Sequence, residues 1–114
     1  MIAAAREGDD INPQKASSGS QFYLTQGRVF TTDQLDSLEI KRLKGYKIPA
    51  AHRAVYTTLG GVPHLDQNYT VFGEVIKGIA VIDSIAAVAT SKGMDKDRPL
   101  KDVKIIHAKL VRRN

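Results

Sequence analysis

Residues 31–59 read with a helical period and lie between stretches that read as β. That switch constrains the chain most, because a 3.6-residue pattern does not suit a strand, nor a two-residue pattern a helix. Thr31 followed by Gln34 matches a capping box, with Thr32 as an equally good N-cap. Leu35, Leu38 and the stem of Arg42 then recur at helical spacing, and Ile40 and Leu43 widen the stripe. Gly45 suits the C′ position, and Pro49 suits the first turn of a second helix. Ala51, Val55 and Leu59 fall four apart on one face of that helix, and Gly60-Gly61 ends it. The block predicts a helical hairpin.

On its N-terminal side, residues 1–6 are short and apolar and read as a strand ending at Arg6. Residues 7–20 are rich in Gly, Asp, Asn, Pro and Ser and predict a loop. Gln21 to Thr25 predicts a second strand, stopped by Gly27. Beyond the hairpin, residues 62–68 read as a loop. Tyr69 to Ile76 alternates and gives the best strand signal in the chain. Ile79 to Ala89 predicts a helix buried on a wide face, residues 94–100 a polar loop, and Val103 to Val111 a last alternating strand. The order predicts an α+β chain with mainly antiparallel pairing.

At 114 residues the chain fits one domain at most. With no cysteine it excludes a disulfide scaffold, a Cys-ligated zinc site and a cysteine nucleophile. No apolar run approaches the ~20 residues of a membrane helix, so no membrane partner is expected. Met1 to Arg6 lacks the basic and apolar regions of a secretory signal. The net charge is +5. Lys41, Arg42, Lys44, Lys47 and Arg53 cluster with no acidic residue between them, and Lys104, Lys109, Arg112 and Arg113 crowd the C-terminus. No aromatic-and-glycine platform for stacking bases accompanies them. They read as a solvated helix face and a basic tail, with no nucleic-acid partner.

Tested for chemistry, the residues alone specify no reaction. His52, His64 and His107 lie on different predicted elements without a ligand-spaced partner. Asp95 and Asp97 begin something like a calcium loop but lack its glycine and distal glutamate. Asn68-Tyr69-Thr70 matches a glycosylation sequon, a pattern common by chance. Gly60-Gly61 follows a helix and so makes no phosphate loop.

Two longer segments carry more. Gly19-Ser20-Gln21-Phe22-Tyr23-Leu24 resembles the Gly-Ser-Gln-Phe-Phe-Ile motif of cyclophilins. His64-Leu65-Asp66-Gln67-Asn68-Tyr69-Thr70-Val71-Phe72-Gly73-Glu74-Val75 is similar to that family's Leu-Asp-Gly-x-x-x-Val-Phe-Gly-x-Val motif, with Gln67 in place of its glycine. Lys77-Gly78-Ile79-Ala80-Val81-Ile82-Asp83 resembles the helix that follows in the family, and Pro99 to Ile105 its closing Pro-x-x-x-Val-x-Ile pattern. Against the short members of that family residues 31–59 are extra, and they resemble the helical insert of some bacterial ones.

The resemblance implies a mainly β fold with helices: the C-terminal portion of a cyclophilin-like antiparallel β-barrel, spanning 1–114, with the helical hairpin inserted. It implies a peptidyl-prolyl cis-trans isomerase that needs no cofactor and takes proline-containing polypeptides. The barrier to rotation about an X-Pro amide is on the order of 20 kcal/mol. Such an enzyme works by differential binding of the twisted amide. Gln21 would hydrogen-bond the substrate backbone, and Tyr23 and Leu65 would pack on the proline. The backbone of Ala4 and Ala5 would lie along the preceding residues. His64 stands where many eukaryotic members carry tryptophan and Tyr69 where they carry histidine, and both belong to the expected substrate surface. Phe72 reads as an ordinary core residue.

The family's upstream Phe-x-Arg segment has no counterpart here, so the expected chain is a truncated form without the catalytic arginine. It would associate with itself through open strand edges, or pair with a separate N-terminal segment. A non-catalytic peptide-binding or chaperone-like module is the alternative reading. The compartment stays open between bacterial cytoplasm and periplasm.

Overall fold

A computed structural model describes residues 1–112. Arg113, counted above with the basic tail, lies outside the described residues. The chain divides into two compact units that meet between Ile79 and Ala80.

The first unit holds three short strands: β1 (Ile2–Ala4), β2 (Phe22–Leu24) and β3 (Val71–Gly73). β1 lies in the middle and pairs antiparallel with both neighbours, in the order β2-β1-β3. Ala3 faces Tyr23 on one side and Val71 on the other. Ala3 is the one buried residue of the sheet, 1% exposed. The expected strand over Tyr69–Ile76 contracts to Val71–Gly73. The register against β1 slips between Ile2 and Ala3, since Ile2 pairs with Gly73 and Ala3 with Val71. Phe72 is therefore the extra residue of a bulge, and it is exposed rather than in the core.

Helix α1 (Thr32–Lys41) begins where the sequence places it. Thr31 Oγ1 accepts from the Gln34 N–H and Gln34 Oε1 accepts from the Thr31 N–H, completing the capping box. The helix closes with Arg42 as C-cap, so Gly45 is not its C′ residue. Lys44 and Gly45 instead reverse the chain in left-handed conformations, at φ of +51° and +85°. Helix α2 (Ala50–Thr58) follows Pro49.

The main apolar core is built by this helical hairpin and Phe30 just before it. Phe30, Leu35, Leu43 and Ile48 are buried together, with Leu38 and Tyr56 packed against them. The face of α2 that turns inward is not the expected Ala51-Val55-Leu59 stripe, which stays exposed. Arg53 and Tyr56 decide the orientation. Arg53 donates to Glu39 at 2.7 Å and to Asp36 at 2.6 Å. Glu39 is 2% exposed, yet it accepts from Lys47, the Ile48 N–H and Arg53. A buried carboxylate requires such partners, and satisfying it outweighs covering two aliphatic side chains. The bond from Lys47 leads in holding the Glu39 carboxyl below the usual carboxylate range, with the Ile48 N–H and Arg53 adding to it against the opposing effect of burial.

The two ends of the hairpin are tied together. Arg28 and Gly61 exchange N–H···O bonds at 3.2 and 3.0 Å, and the Phe30 N–H donates to the Tyr56 carbonyl at 2.9 Å. A Cβ on Gly27 would lie 2.6 Å from Gly61 Cα, so this crossing needs glycine.

The second unit contains helix α3 (Ile79–Ala86), whose first residue is the last of the first unit. None of its residues is buried, against the expected wide buried face. Residues 89–100 close on themselves through Ser91 N–H to the Arg98 carbonyl and Leu100 N–H to the Ala89 carbonyl. The expected strand over Val103–Val111 does not form, and its apolar residues are exposed. An alternating segment becomes a strand only against a partner edge, and none pairs with it among the described residues.

The fold class needs the same correction. Three strands of three residues stand against helices of ten, nine and eight, so the chain is mixed α/β rather than mainly β. The sheet is open, with β2 and β3 as its edges. Among the described residues no helix is long and apolar enough to cross a membrane.

Candidate functional site

The site is built from the end of β1, the start of β2 and the 63–70 loop. The Ala5 N–H donates to the Gln21 carbonyl at 3.0 Å, and the Ala4 N–H donates to the Thr70 carbonyl at 2.9 Å. The Ala5 carbonyl accepts from the Ser18 N–H at 2.8 Å. Ala4 and Ala5 thus fasten β2 and the loop to either side of β1. Within the 7–20 loop, Asn12 trades two hydrogen bonds with the Ala16 backbone, at 2.8 and 3.1 Å.

Gln21 and Tyr23 are two apart along an extended run, a spacing that sends both side chains to one side. Gln21 is exposed and its side-chain amide makes no hydrogen bond among the described residues. Tyr23 is half-buried, and its ring meets the Tyr69 ring edge-on, with centroids 5.3 Å apart and planes at 84°. Burial pushes the Tyr23 phenol up, Tyr69 adds to this, and Arg6 opposes it.

The loop opens with a 3-10 turn, Pro63–Leu65, in which Pro63 is buried. His64 is exposed and Leu65 half-buried. Asp66 is anchored from below by the Tyr56 hydroxyl. Gln67 then takes a left-handed φ of +65°. A left-handed residue there is what glycine adopts freely, which accounts physically for glycine at this place in the resembled motif. Asn68 turns the chain back through its amide to the Asp66 carbonyl at 3.1 Å.

Arg6 holds the arrangement together, although in sequence it reads only as the end of the first strand. Its side chain is only 7% exposed. Nε donates to the Asn68 carbonyl at 2.8 Å, Nη1 donates to Asp9 at 2.7 Å, and the guanidinium lies 5.1 Å from the Tyr69 ring centroid. The bond from Arg6 lowers the Asp9 carboxyl below its usual range. The available signal was its position, directly after the apolar Ile2-Ala3-Ala4-Ala5 run, where a strand end meets a loop.

A cavity of about 460 Å³ opens beside this loop. His64, Leu65 and Tyr69 line it together with Arg6, and the turn of the helical hairpin contributes Arg42, Lys44 and Tyr46. Of the expected site residues, the structure therefore joins His64, Leu65 and Tyr69 in one cavity and Tyr23 to Tyr69 by ring contact. Gln21, Ala4 and Ala5 line up along the adjoining sheet end.

A family model described as cyclophilin type peptidyl-prolyl cis-trans isomerase/CLD matches residues 1–110. A Staphylococcus aureus (strain USA300) protein named "Putative peptidyl-prolyl cis-trans isomerase" is 35% identical over 104 residues, which cover 91% of this chain and 46% of that protein. A Staphylococcus saprophyticus protein of the same name is 33% identical over 95 residues, 83% of this chain and 44% of that one. The "Peptidyl-prolyl cis-trans isomerase-like 1" of Neurospora crassa is 44% identical over 57 residues, 50% of this chain and 33% of that protein. The chain spans less than half the length of these curated relatives. No solved structure matches it. With the family motifs folded around the Tyr23, Leu65 and Tyr69 cluster, the chain belongs to the cyclophilin-type peptidyl-prolyl cis-trans isomerase family.

Proposed function

We propose that the chain binds proline-containing polypeptides at the sheet end and loop just described and takes part in peptidyl-prolyl cis-trans isomerisation. The observation that carries this is the Tyr23–Tyr69 ring pair, with Tyr69 and Leu65 lining one cavity. Edge-on aromatic rings beside an aliphatic side chain offer an apolar seat that suits a pyrrolidine ring. Gln21, exposed and unbonded, is free to donate to the backbone next to the proline. Ala4 and Ala5 have spent their N–H groups within the protein, so they contribute small side chains that let an extended peptide lie close. His64 and Tyr69 form the rim. Rotation is eased when the twisted amide is held more tightly than the planar one, without a covalent step or a cofactor.

The fold completes this reading. Residues 1–114 are a partial cyclophilin-like domain, with the three strands contributing to the C-terminal portion of an antiparallel barrel and 31–59 inserted. The exposed β2 and β3 edges and the apolar residues of 103–111 support pairing, with a second copy or with a separate N-terminal segment. A concentration-independent monomer in light scattering overturns the self-pairing.

A second reading, a non-catalytic peptide-binding module, is favoured by Arg6. Its guanidinium is nearly buried and committed to Asn68 and Asp9, so it is not available to a substrate amide. Exchange spectroscopy on an Ala-Pro peptide separates the two. Uncatalysed exchange takes tens of seconds or more. Faster exchange in the presence of the chain is the expected result. Binding with unaccelerated exchange assigns the module reading, and absence of binding overturns both.

A further inference from the structure

The cavity beside the 63–70 loop carries charge that proline binding does not use. Its wall holds Arg6, Lys15, Arg42 and Lys44 against Asp9 and Asp66. Asp9 is ion-paired with Arg6, and Asp66 accepts from the neutral Tyr56 hydroxyl. Lys15 donates to the Asn68 amide oxygen at 2.9 Å, and Lys15 and Lys44 both act through space on the Asp9 carboxylate. The side chains of Arg42 and Lys44 make no hydrogen bond or ion pair among the described residues. With four cationic side chains against two carboxylates the cavity is a positive concavity; Arg42 and Lys44 come to it from the turn of the helical hairpin, and it shares its wall with Leu65 and Tyr69. Its volume of about 460 Å³ has room for a side chain reaching in from a bound peptide.

We propose that the helical insert is a specificity element: Arg42 and Lys44, with Lys15, receive the carboxylate of an acidic residue close to the proline of a bound polypeptide. The inference rests on the proline-binding reading and adds to it the class of substrate, acidic prolyl segments. Charge complementarity selects the occupant. A carboxylate entering here meets two cations that make no hydrogen bond or ion pair of their own, in a partly enclosed space where Coulomb attraction is screened less than at an open surface. Nothing in the proline seat itself distinguishes glutamate from glutamine, so the discrimination falls to the insert.

Fluorescence anisotropy with labelled Ala-Pro peptides tests it. Glutamate is placed in turn at each of the flanking positions, and each peptide is compared with its glutamine twin. The best glutamate peptide is expected to bind about tenfold more tightly than its twin at low salt, with the gap narrowing at roughly 0.5 M salt. In R42Q/K44G the ratio is expected to fall to about one. Lys44→Gly removes the charge at a left-handed position that glycine accepts without strain, and Arg42→Gln alone, expected to lower the ratio, serves if the double variant does not fold. A ratio near one in the unmodified chain with both twins bound, or a ratio unchanged in the variants, overturns the inference and leaves proline binding standing. Failure of both twins to bind overturns proline binding and the inference with it. Equal affinity for a peptide with alanine in place of proline also overturns it, because the cavity is then a general anion site.

Discussion

The Tyr56 hydroxyl donates to both carboxylate oxygens of Asp66, at 2.8 and 2.7 Å. Tyr56 belongs to the core of the helical insert, and Asp66 follows Leu65 in the loop that lines the cavity. This bond couples the helical hairpin to the site loop, alongside the Gln67 amide, which donates to the Tyr46 hydroxyl at 3.4 Å.

Tyr56→Phe keeps the ring in place and removes the bond to Asp66. The expected loss is about 1.5–3 kcal/mol, the range for a hydrogen bond to a charged group, measured by urea unfolding of the chain. Burial leads in raising the Tyr56 phenol well above its ordinary value of 10.0, with the bond to Asp66 next. Its contribution is therefore full below pH 10 and is lost as pH rises beyond that. The native chain should lose stability above pH 10 more steeply than the phenylalanine variant, and parallel curves would refute this.

Glu39 sets the opposite limb of the pH profile. Its folded carboxyl lies below the ordinary 4.5, so it contributes stability above that value and loses it as pH falls further. Far-UV circular dichroism should show the native chain melting at progressively lower temperature below about pH 4.5. Glu39→Gln should start lower at neutral pH and change less on acidification.

Glycine positions separate by what surrounds them. A Cβ on Gly61 would lie 2.5 Å from Tyr56 Cε1, whereas one on Gly19 meets nothing within 4 Å. Gly61→Ala should cost about 1–3 kcal/mol through overpacking, and Gly19→Ala should leave stability unchanged or slightly raised. Equal melting temperatures for the two variants would contradict the crossing described at Gly27 and Gly61.

Gln67→Gly tests the strain in the site loop. A non-glycine residue in the left-handed region costs about 1–2 kcal/mol, offset in part by the greater freedom of glycine in the unfolded chain. The variant should gain about 0.5 kcal/mol net and retain peptide binding. A lower melting temperature would show that the Gln67 side chain contributes more than its backbone costs.

Tyr23→Ala should weaken prolyl-peptide binding by about tenfold or more, since it removes the ring that meets Tyr69, while Tyr23→Phe should bind nearly as the native chain does. Equal binding by all three would remove Tyr23 from the proposed site.

Local order was legible in the sequence. The capping box at Thr31 and Gln34, both helices of the hairpin and the turn-rich loop depend on neighbours a few residues away, and local propensity specifies them. The family was legible too, because the motif around Gln21 and the one around Leu65 are long and ordered. Burial was not. Whether Val55 or Tyr56 turns inward depends on Asp66 and on Glu39 with its partner Arg53, far apart in the chain. Whether Phe72 enters the core depends on a one-residue slip against Ile2 and Ala3. The alternation in 103–111 states which residues would share a face, but a strand requires a partner edge, and pairing is a tertiary matter. Arg6 reads as the end of an apolar run; only the fold brings Asn68 and Tyr69 to it, and only the fold turns the basic corner at Arg42 and Lys44 toward the cavity that holds Leu65.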